Sequence, residues 1–496
     1  MSYVMALDQG TSSSRAIIFD AQGQALSAVQ HEFDQQFPRD GWVEQDPETL
    51  WQTTLAAGRD ALAASGLRAD QLLGIGITNQ RETTLVWDRE SGAPVTNAIG
   101  WQDRRTAPRC EEIRRDGMAE RITEKTGLVI DPYFSGTKLA WILDNVAGAR
   151  ARADAGKLLF GTVDCFLIWR LSGGKAHRTD ASNASRTQLF NLAQQRWDEE
   201  LLEYFAIPES MLPEVMDSCA DFGCCDAEWF GAAVPILGVA GDQQAALIGQ
   251  GCFEVGMSKS TYGTGCFLIS NTGPRQIKSA EGLLTTVAYR LSGETCFALE
   301  GSIFVAGVAV KWLRDQLGLI GSAADTEAAA RRCNGDTGGV YAVPAFTGLG
   351  APHWNPEARG LICGLTLDTS ADQLVTAFLA SVAYQSADLL GAFARDGARV
   401  TDMRVDGGMV ANDWLCQHLA DLCQISVQRP ANTETTALGA AMLALLGAGA
   451  LPTLAAAGSL WELDRRFEPA LGDAAREQLL SGWHAAVART LGRAVG

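Results

Sequence analysis

Several familiar phosphate-binding and redox signatures are missing from this sequence. No GxxxxGK[ST] run occurs, which excludes the phosphate cradle of P-loop proteins. No glycine set completes GxGxxG after a strand, since Gly263-Thr264-Gly265 and Gly348-Leu349-Gly350 both lack the third glycine, and this disfavours a dinucleotide enzyme. Histidine is scarce, five in 496 residues, and the twelve cysteines form no CxxC pair, so no structural zinc site is expected. Most cysteines stand singly in apolar surroundings and only Cys224 and Cys225 are adjacent, the usage of a reducing compartment rather than of a disulfide framework. Positive charge is short: 40 Lys and Arg against 58 Asp and Glu leave a formal charge of −18, which repels nucleic-acid backbones and acidic membrane surfaces. A small-molecule substrate fits better. The chain starts without a basic segment followed by a long apolar core, so no secretion signal is expected and the protein is expected in the cytoplasm. Residues 435–460 carry no charge, but Gly439, Gly447, Gly449 and Pro452 interrupt the run, and its alanines favour a buried helix and turn over a membrane span.

The most informative stretch that is present is DQGTSSSR, residues 8–15, between the apolar runs 4–7 and 16–19. It predicts a β-hairpin whose turn cradles phosphate: Gly10 permits the tight turn, Thr11, Ser12 and Ser13 offer donors, and Arg15 adds a cation. Asp8, at the end of the first strand, is a candidate holder of Mg²⁺, directly or through water. A solvated turn is the plainer alternative for this stretch alone.

At 496 residues the chain exceeds one ordinary core, so two large domains with a cleft between them, or three smaller ones, are expected. Strand-like runs at 4–7, 16–19, 72–78, 85–87, 158–161 and 236–239 alternate with helical segments at 47–65 and 135–146. A second series follows, with strands at 259–262, 266–270, 285–289, 296–299 and 403–405 and helices at 303–317, 371–394 and 412–422. This alternation predicts α/β layering used twice. The glycines at 249, 251 and 256 divide the chain into 1–250 and 251–496.

Four further segments carry chemistry. Residues 260–265 form a second glycine-hydroxyl loop, whose amides and Thr264 can face a phosphoryl group, although a plain hairpin competes. At 405–412 a strand runs into Gly407-Gly408 and then a helix; the glycines admit a flat base close to the backbone, and Asn412 can cap the helix or bond a nucleotide. On the acceptor side, Asp242 follows the strand 236–239 and can take a proton from an attacking hydroxyl, or serve as an N-cap. Arg81 and Glu82 end another strand, and together they can donate to and accept from vicinal hydroxyls or form a surface ion pair.

With TNQRET (78–83), GWQDRR (100–105), DPYFSGTKLAWIL (131–143), NASRT (183–187), GDQQAAL (241–247), YGTGCF (262–267), VDGGMVAN (405–412) and ETTALGAA (434–441), the chain resembles the glycerol-phosphorylating branch of the FGGY carbohydrate-kinase family over nearly its whole length. The resemblance implies two ribonuclease-H-like domains of the actin, sugar-kinase and Hsp70 type, with ATP, Mg²⁺ and glycerol meeting between them to give sn-glycerol 3-phosphate. It implies Asp242 as general base; Arg81, Glu82, Tyr133, Asp242 and Gln243 on the polyol hydroxyls; and Trp101 and Phe267 as an apolar wall. Thr11, Ser12, Ser13, Arg15, Thr264 and Gly307 would hold phosphates, with Gly408 and Asn412 at the adenosine. A homo-oligomer is expected. Lys311 departs from the family, which has Gln there. Two alternatives stand beside this: a kinase for another small polyol or ketose, and a non-catalytic actin/Hsp70-like nucleotide switch.

Overall fold

Apolar residues alternate along Tyr3–Gln9 (β1) and Ser13–Asp20 (β2), which sends Val4, Ala6, Ile17 and Phe19 to one face of a sheet and Met5, Leu7, Ala16 and Ile18 to the other. The computed structural model describes residues 2–492. Ala25–Glu32 (β3), Leu72–Asn79 (β4), Cys224–Cys225 (β5) and Val234–Gly241 (β6) complete a six-stranded sheet in the order β5-β6-β4-β1-β2-β3. The first three strands form an antiparallel meander, and β4 and β6 then add in parallel beside β1.

A second sheet repeats the plan. Met257–Tyr262 (β7), Cys266–Gly273 (β8), Leu284–Leu291 (β9), Glu294–Ile303 (β10), Asp402–Asp406 (β11), Ser426–Pro430 (β12) and Leu463–Phe467 (β13) lie in the order β9-β10-β8-β7-β11-β12-β13. Within it β10-β8-β7 is antiparallel and β11 and β12 follow in parallel, so β3-β2-β1-β4-β6 and β10-β8-β7-β11-β12 share one topology. That repeated order is the ribonuclease-H-like arrangement, and the two-domain α/β expectation stands.

Pro47–Ser65 (α1) begins where the Asp46 carboxylate accepts from the amides of Glu48 and Thr49, and it covers the face of the first sheet formed by Met5, Leu7 and Ile18. Asp242–Gly249 (α2) follows β6 directly. Ala371–Arg395 (α3) is long and apolar enough to cross a membrane by length and composition alone. It is instead a core helix of the second half, with Leu379, Val382, Ala383 and Phe393 in one cluster with Met403, Val405 and Leu415.

The uncharged run beginning at residue 435 does open with a buried helix, Thr435–Gly447 (α4). Although it comes late in the chain, α4 closes the other face of the first sheet: Ala437, Ala440, Ala441 and Leu443 share a cluster with Val4, Ala6, Ile17 and Phe19. The approach is at backbone level. A Cβ on Gly76 would collide with the Ala440 carbonyl, and α2 and α4 meet where a Cβ on Gly249 or Gly439 would collide with the Thr435 or Ala245 carbonyl.

One expected boundary is corrected. The helix read over 303–317 is Gly307–Asp315, because Ile303 still pairs with Cys266 as the last residue of β10. Sheet pairing overrides the apolar periodicity that runs through the junction.

Candidate active site

Two glutamines at the strand ends fix the first loop. The Gln80 amide donates to Gln9 Oε1 at 3.0 Å, to Gln45 Oε1 at 2.9 Å and to the Gly10 carbonyl at 3.1 Å, which ties the end of β4 to the β1–β2 turn. Gln45 in turn donates to the Thr11 carbonyl at 2.7 Å, and the Gly10 amide closes the turn on Ser13 O at 2.8 Å. The hairpin predicted over residues 8–15 is therefore present and braced from below. Ser12 is exposed at its tip.

Beyond Gln80 the chain makes a strained step. Glu82 has φ 59°, the left-handed region that costs a residue with a side chain on the order of 1–3 kcal/mol. Its carbonyl accepts from Thr84 Oγ1 at 3.0 Å, Ser135 Oγ at 3.1 Å and Lys138 Nζ at 3.3 Å, and Lys138 also donates to Tyr133 O at 2.7 Å. Lys138 is fully buried, and burial pulls its ammonium down to about 7. One lysine thus holds the main chain of both Glu82 and Tyr133.

The side chains that follow form a dense charged cluster. Arg81, 2% exposed, places Nε 3.1 Å from Asp242, donates through Nη1 and Nη2 to the two oxygens of Glu300 at 2.5 and 3.0 Å, and reaches Tyr133 Oη at 3.5 Å. Arg186 bridges Glu82 at 2.7 Å and Glu300 at 3.0 Å. Burial alone would raise the Glu300 carboxyl, but Arg186 and Arg81 outweigh it and hold it at about 2. For Glu82 burial wins over the same two cations and the carboxyl is raised.

Aromatic rings close one side. Trp101 stands edge-on to Tyr133 at 5.6 Å and to Phe267 at 6.1 Å, and its indole donates to Thr11 Oγ1 at 3.0 Å. Phe267 lies on β8 and Glu300 on β10, so the second half contributes to the same cluster. Arg81, Glu82, Trp101, Tyr133, Asp242, Gln243 and Phe267 are thereby brought together. Asp242 opens α2 and accepts from the Gln243 amide at 2.7 Å, while Gln243 Oε1 accepts from the buried Lys259, which also donates to Thr261 Oγ1 at 2.8 Å.

Beside the β1–β2 turn, burial and then the Asp242 carboxylate push Asp8 up to about 7, with Arg15 opposing. Arg15 pairs with Glu434, just before α4. In the second loop Gly263 O accepts from the Gly307 amide at 2.9 Å, and a Cβ on Gly307 would approach that oxygen to 2.5 Å; Thr264 is exposed at the tip. Gly407, with φ 90°, packs its α-carbon onto Tyr262, and Gly408 opens a short 3₁₀ turn beside it. Asn412 caps the following helix through Leu415 N at 2.9 Å and donates to Thr326 Oγ1 at 3.1 Å, so the expected cap is present.

Glu300, Arg186, Lys259, Lys138 and Glu434 were not singled out by sequence reasoning. A signal existed for Glu300, an acid that ends the apolar run CFAL, and Arg186, Lys138 and Glu434 lie inside quoted motifs. Among the described residues no three His, Cys, Asp or Glu side chains converge as a metal site.

Comparisons with known proteins agree along the whole chain. The model of the FGGY carbohydrate-kinase N-terminal domain matches residues 3–249, and that of the C-terminal domain matches residues 259–448. A glycerol kinase of Ectopseudomonas mendocina is 59% identical over 488 residues, 98% of each chain, and one of Alcanivorax borkumensis is 58% identical over 490 residues, covering 99% of this chain and 98% of that one. Among solved structures, Plasmodium falciparum glycerol kinase with ADP superposes with a TM-score of 0.93 at 34% identity, covering 99% of this chain and 98% of that one. A xylulose kinase of Lactobacillus acidophilus, 20% identical over 99% of both chains with a TM-score of 0.89, shares the fold. With both family models matched in sequence order and near-full-length relatives well above half identical, this chain belongs to the FGGY family of carbohydrate kinases.

Proposed function

We propose that the protein transfers the γ-phosphoryl group of ATP to a terminal hydroxyl of glycerol, giving ADP and sn-glycerol 3-phosphate. The observation that carries this is the cluster of Asp242, Arg81, Tyr133, Trp101 and Phe267, which lies one hydrogen bond from Thr11 in the phosphate hairpin. Arg81 and Glu82 offer donors and acceptors, Gln243 an amide, and the aromatic corner a wall for a short carbon chain. A site so dense in buried polar groups suits a three-carbon triol, because a substrate lacking a hydroxyl leaves a partner unpaired.

In the transfer, the terminal oxygen of glycerol forms a bond to the γ-phosphorus as the bond to the β,γ-bridging oxygen breaks and ADP departs. The hydroxyl proton passes to a carboxylate oxygen of Asp242. Thr11, Ser12, Ser13, Arg15, Thr264 and Gly307 are the proposed phosphate contacts, with Gly408 and Asn412 toward the adenosine. Asp8 would be the residue to hold Mg²⁺: burial and the Asp242 carboxylate push its carboxyl up to about 7, and a bound cation would favour its charged form. When bound, the ion supplies charge neutralisation on the phosphates. Twelve free thiols accord with a cytoplasmic enzyme, and a homo-oligomer is the expectation that size-exclusion chromatography tests.

The test is ADP release with and without glycerol, repeated with Asp242→Asn. The amide keeps its hydrogen bonds but cannot take the proton, so turnover should fall on the order of 10²–10⁴-fold with glycerol binding retained. Near-wild-type turnover rules the assignment out. A panel of polyols and ketoses separates glycerol from the alternative acceptors. A pure nucleotide switch has no use for Arg81, Glu82 and Asp242 at one place.

A further inference from the structure

Three carboxylates share two guanidinium groups at the acceptor end of the cluster. Arg81 spends both terminal nitrogens on Glu300, at 2.5 and 3.0 Å, and turns only Nε toward Asp242, at 3.1 Å. Arg186 is engaged by Glu82 through Nε and by Glu300 through Nη2. Glu300, Arg186, Arg81 and Glu82 are almost completely buried, whereas Asp242 is 30% exposed. The acid with the least access to solvent therefore takes the fork of Arg81, and Asp242 has only the Nε ion-pair contact from that guanidinium, beside its bond from the Gln243 amide.

We propose that Glu300 is a positioning residue for phosphoryl transfer: by holding both terminal nitrogens of Arg81 it keeps that fork off Asp242, so that Asp242 remains a competent proton acceptor and Arg81 stays aimed at the polyol. This rests on the assignment of Asp242 and Arg81 under the proposed function. The physical reason is a competition. A guanidinium prefers a two-bond fork with a carboxylate, and a carboxylate that receives several such bonds is held in its charged form and is a poorer base. If Glu300 gave up its charge, the fork would have Asp242 as its nearest remaining acid.

Glu300 also comes from β10 of the second sheet, whereas Arg81 and Asp242 come from the ends of β4 and β6 of the first. The orientation of Arg81 consequently depends on the register between the two halves.

The test is Glu300→Gln, which preserves shape and removes the charge, alongside Glu300→Asp, which keeps the charge on a shorter arm. Steady-state kinetics should be measured for both substrates, with thermal melting as a folding control. For Glu300→Gln we expect kcat to fall by roughly 10–100-fold, in line with the cost of a misplacement of about 1 Å. The KM for glycerol should also rise, because the displaced Arg81 binds the acceptor less well in the ground state too, and the KM for ATP should stay within about twofold of wild type. Glu300→Asp should recover part of kcat.

A folded Glu300→Gln protein with wild-type kcat and glycerol KM overturns the proposal, as does an equal loss toward both substrates that tracks a lowered melting temperature. If Glu300→Gln does not fold, Glu300→Asp decides by its pattern: a lowered kcat and raised glycerol KM with an unchanged KM for ATP supports the proposal, and an equal loss toward both substrates that tracks a lowered melting temperature overturns it. Asp242→Asn separates the two levels. An active Asp242→Asn defeats the assignment of the base, whereas an inactive one beside a kinetically normal Glu300→Gln defeats only the role of Glu300.

Discussion

Arg81 shows how far a single residue could be read. Its place beside Glu82 at a strand end made it a candidate partner for hydroxyls or half of a surface ion pair, and the structure shows it as the buried counter-ion of Glu300 and a neighbour of Asp242. Arg81→Ala should therefore raise the KM for glycerol strongly and the KM for ATP little, and it should also lower the melting temperature. Glu300 would lose its fork but keep Arg186, so the cost should stay below the roughly 3–5 kcal/mol of leaving a buried charge with no partner. A kinetic defect without loss of stability would mean that Arg186 alone satisfies Glu300. Arg81 and Asp242 could be offered as candidates from the chemistry of strand ends, Trp101 and Tyr133 only through the family resemblance, and the structure places the four together. Glu300 and Lys259 were not legible, because what matters about them is what they touch: Glu300 meets a residue 219 positions away, and Lys259 meets Gln243 across the junction of the halves.

Among the elements, the hairpin over residues 8–15 and helix α1 were legible because turn chemistry and an N-cap are written in adjacent residues. The start of the helix at Gly307 was not, since it depends on how long β10 keeps its partner in β8. Nor could the sequence say where α4 would lie. Its glycines looked like breaks in an apolar run; they are sites of contact. Gly439→Ala is a decisive case because two effects oppose each other. Alanine is the better helix former by about 1 kcal/mol, but here its Cβ would run into the Ala245 carbonyl of α2, and backbone on both sides leaves little room to yield. The melting temperature should fall. A stabilised Gly439→Ala protein would mean that the two helices separate easily.

At the scale of the whole molecule, acid should be destabilising beyond the effect of the carboxylates. Burial pushes the His177 and His418 rings down to about 4 from an ordinary 6.5. The unfolded chain takes up those protons near pH 6.5 and the folded chain only near 4, so stability is complete above the window and falls as pH drops through it, by up to roughly 3 kcal/mol per ring. His484 runs the other way: its bond to Asp388 raises its pKa, so its contribution is present in acid and lost as pH rises through the raised value. His418 stacks on Trp414 at 4.6 Å, so His418→Phe keeps an aromatic ring there and should narrow the gap between melting temperatures at pH 7 and pH 4.5. An unchanged gap would assign the acid sensitivity elsewhere. The position of α4 also bears on how the protein is made. The first sheet is complete in sequence by residue 241, yet one of its faces is covered by residues 435–447. A ribosome that has delivered the first half has delivered a sheet with Val4, Ala6, Ile17 and Phe19 still facing water. Folding that begins at the N-terminus must therefore wait, for nearly 200 further residues of synthesis, before that surface is closed.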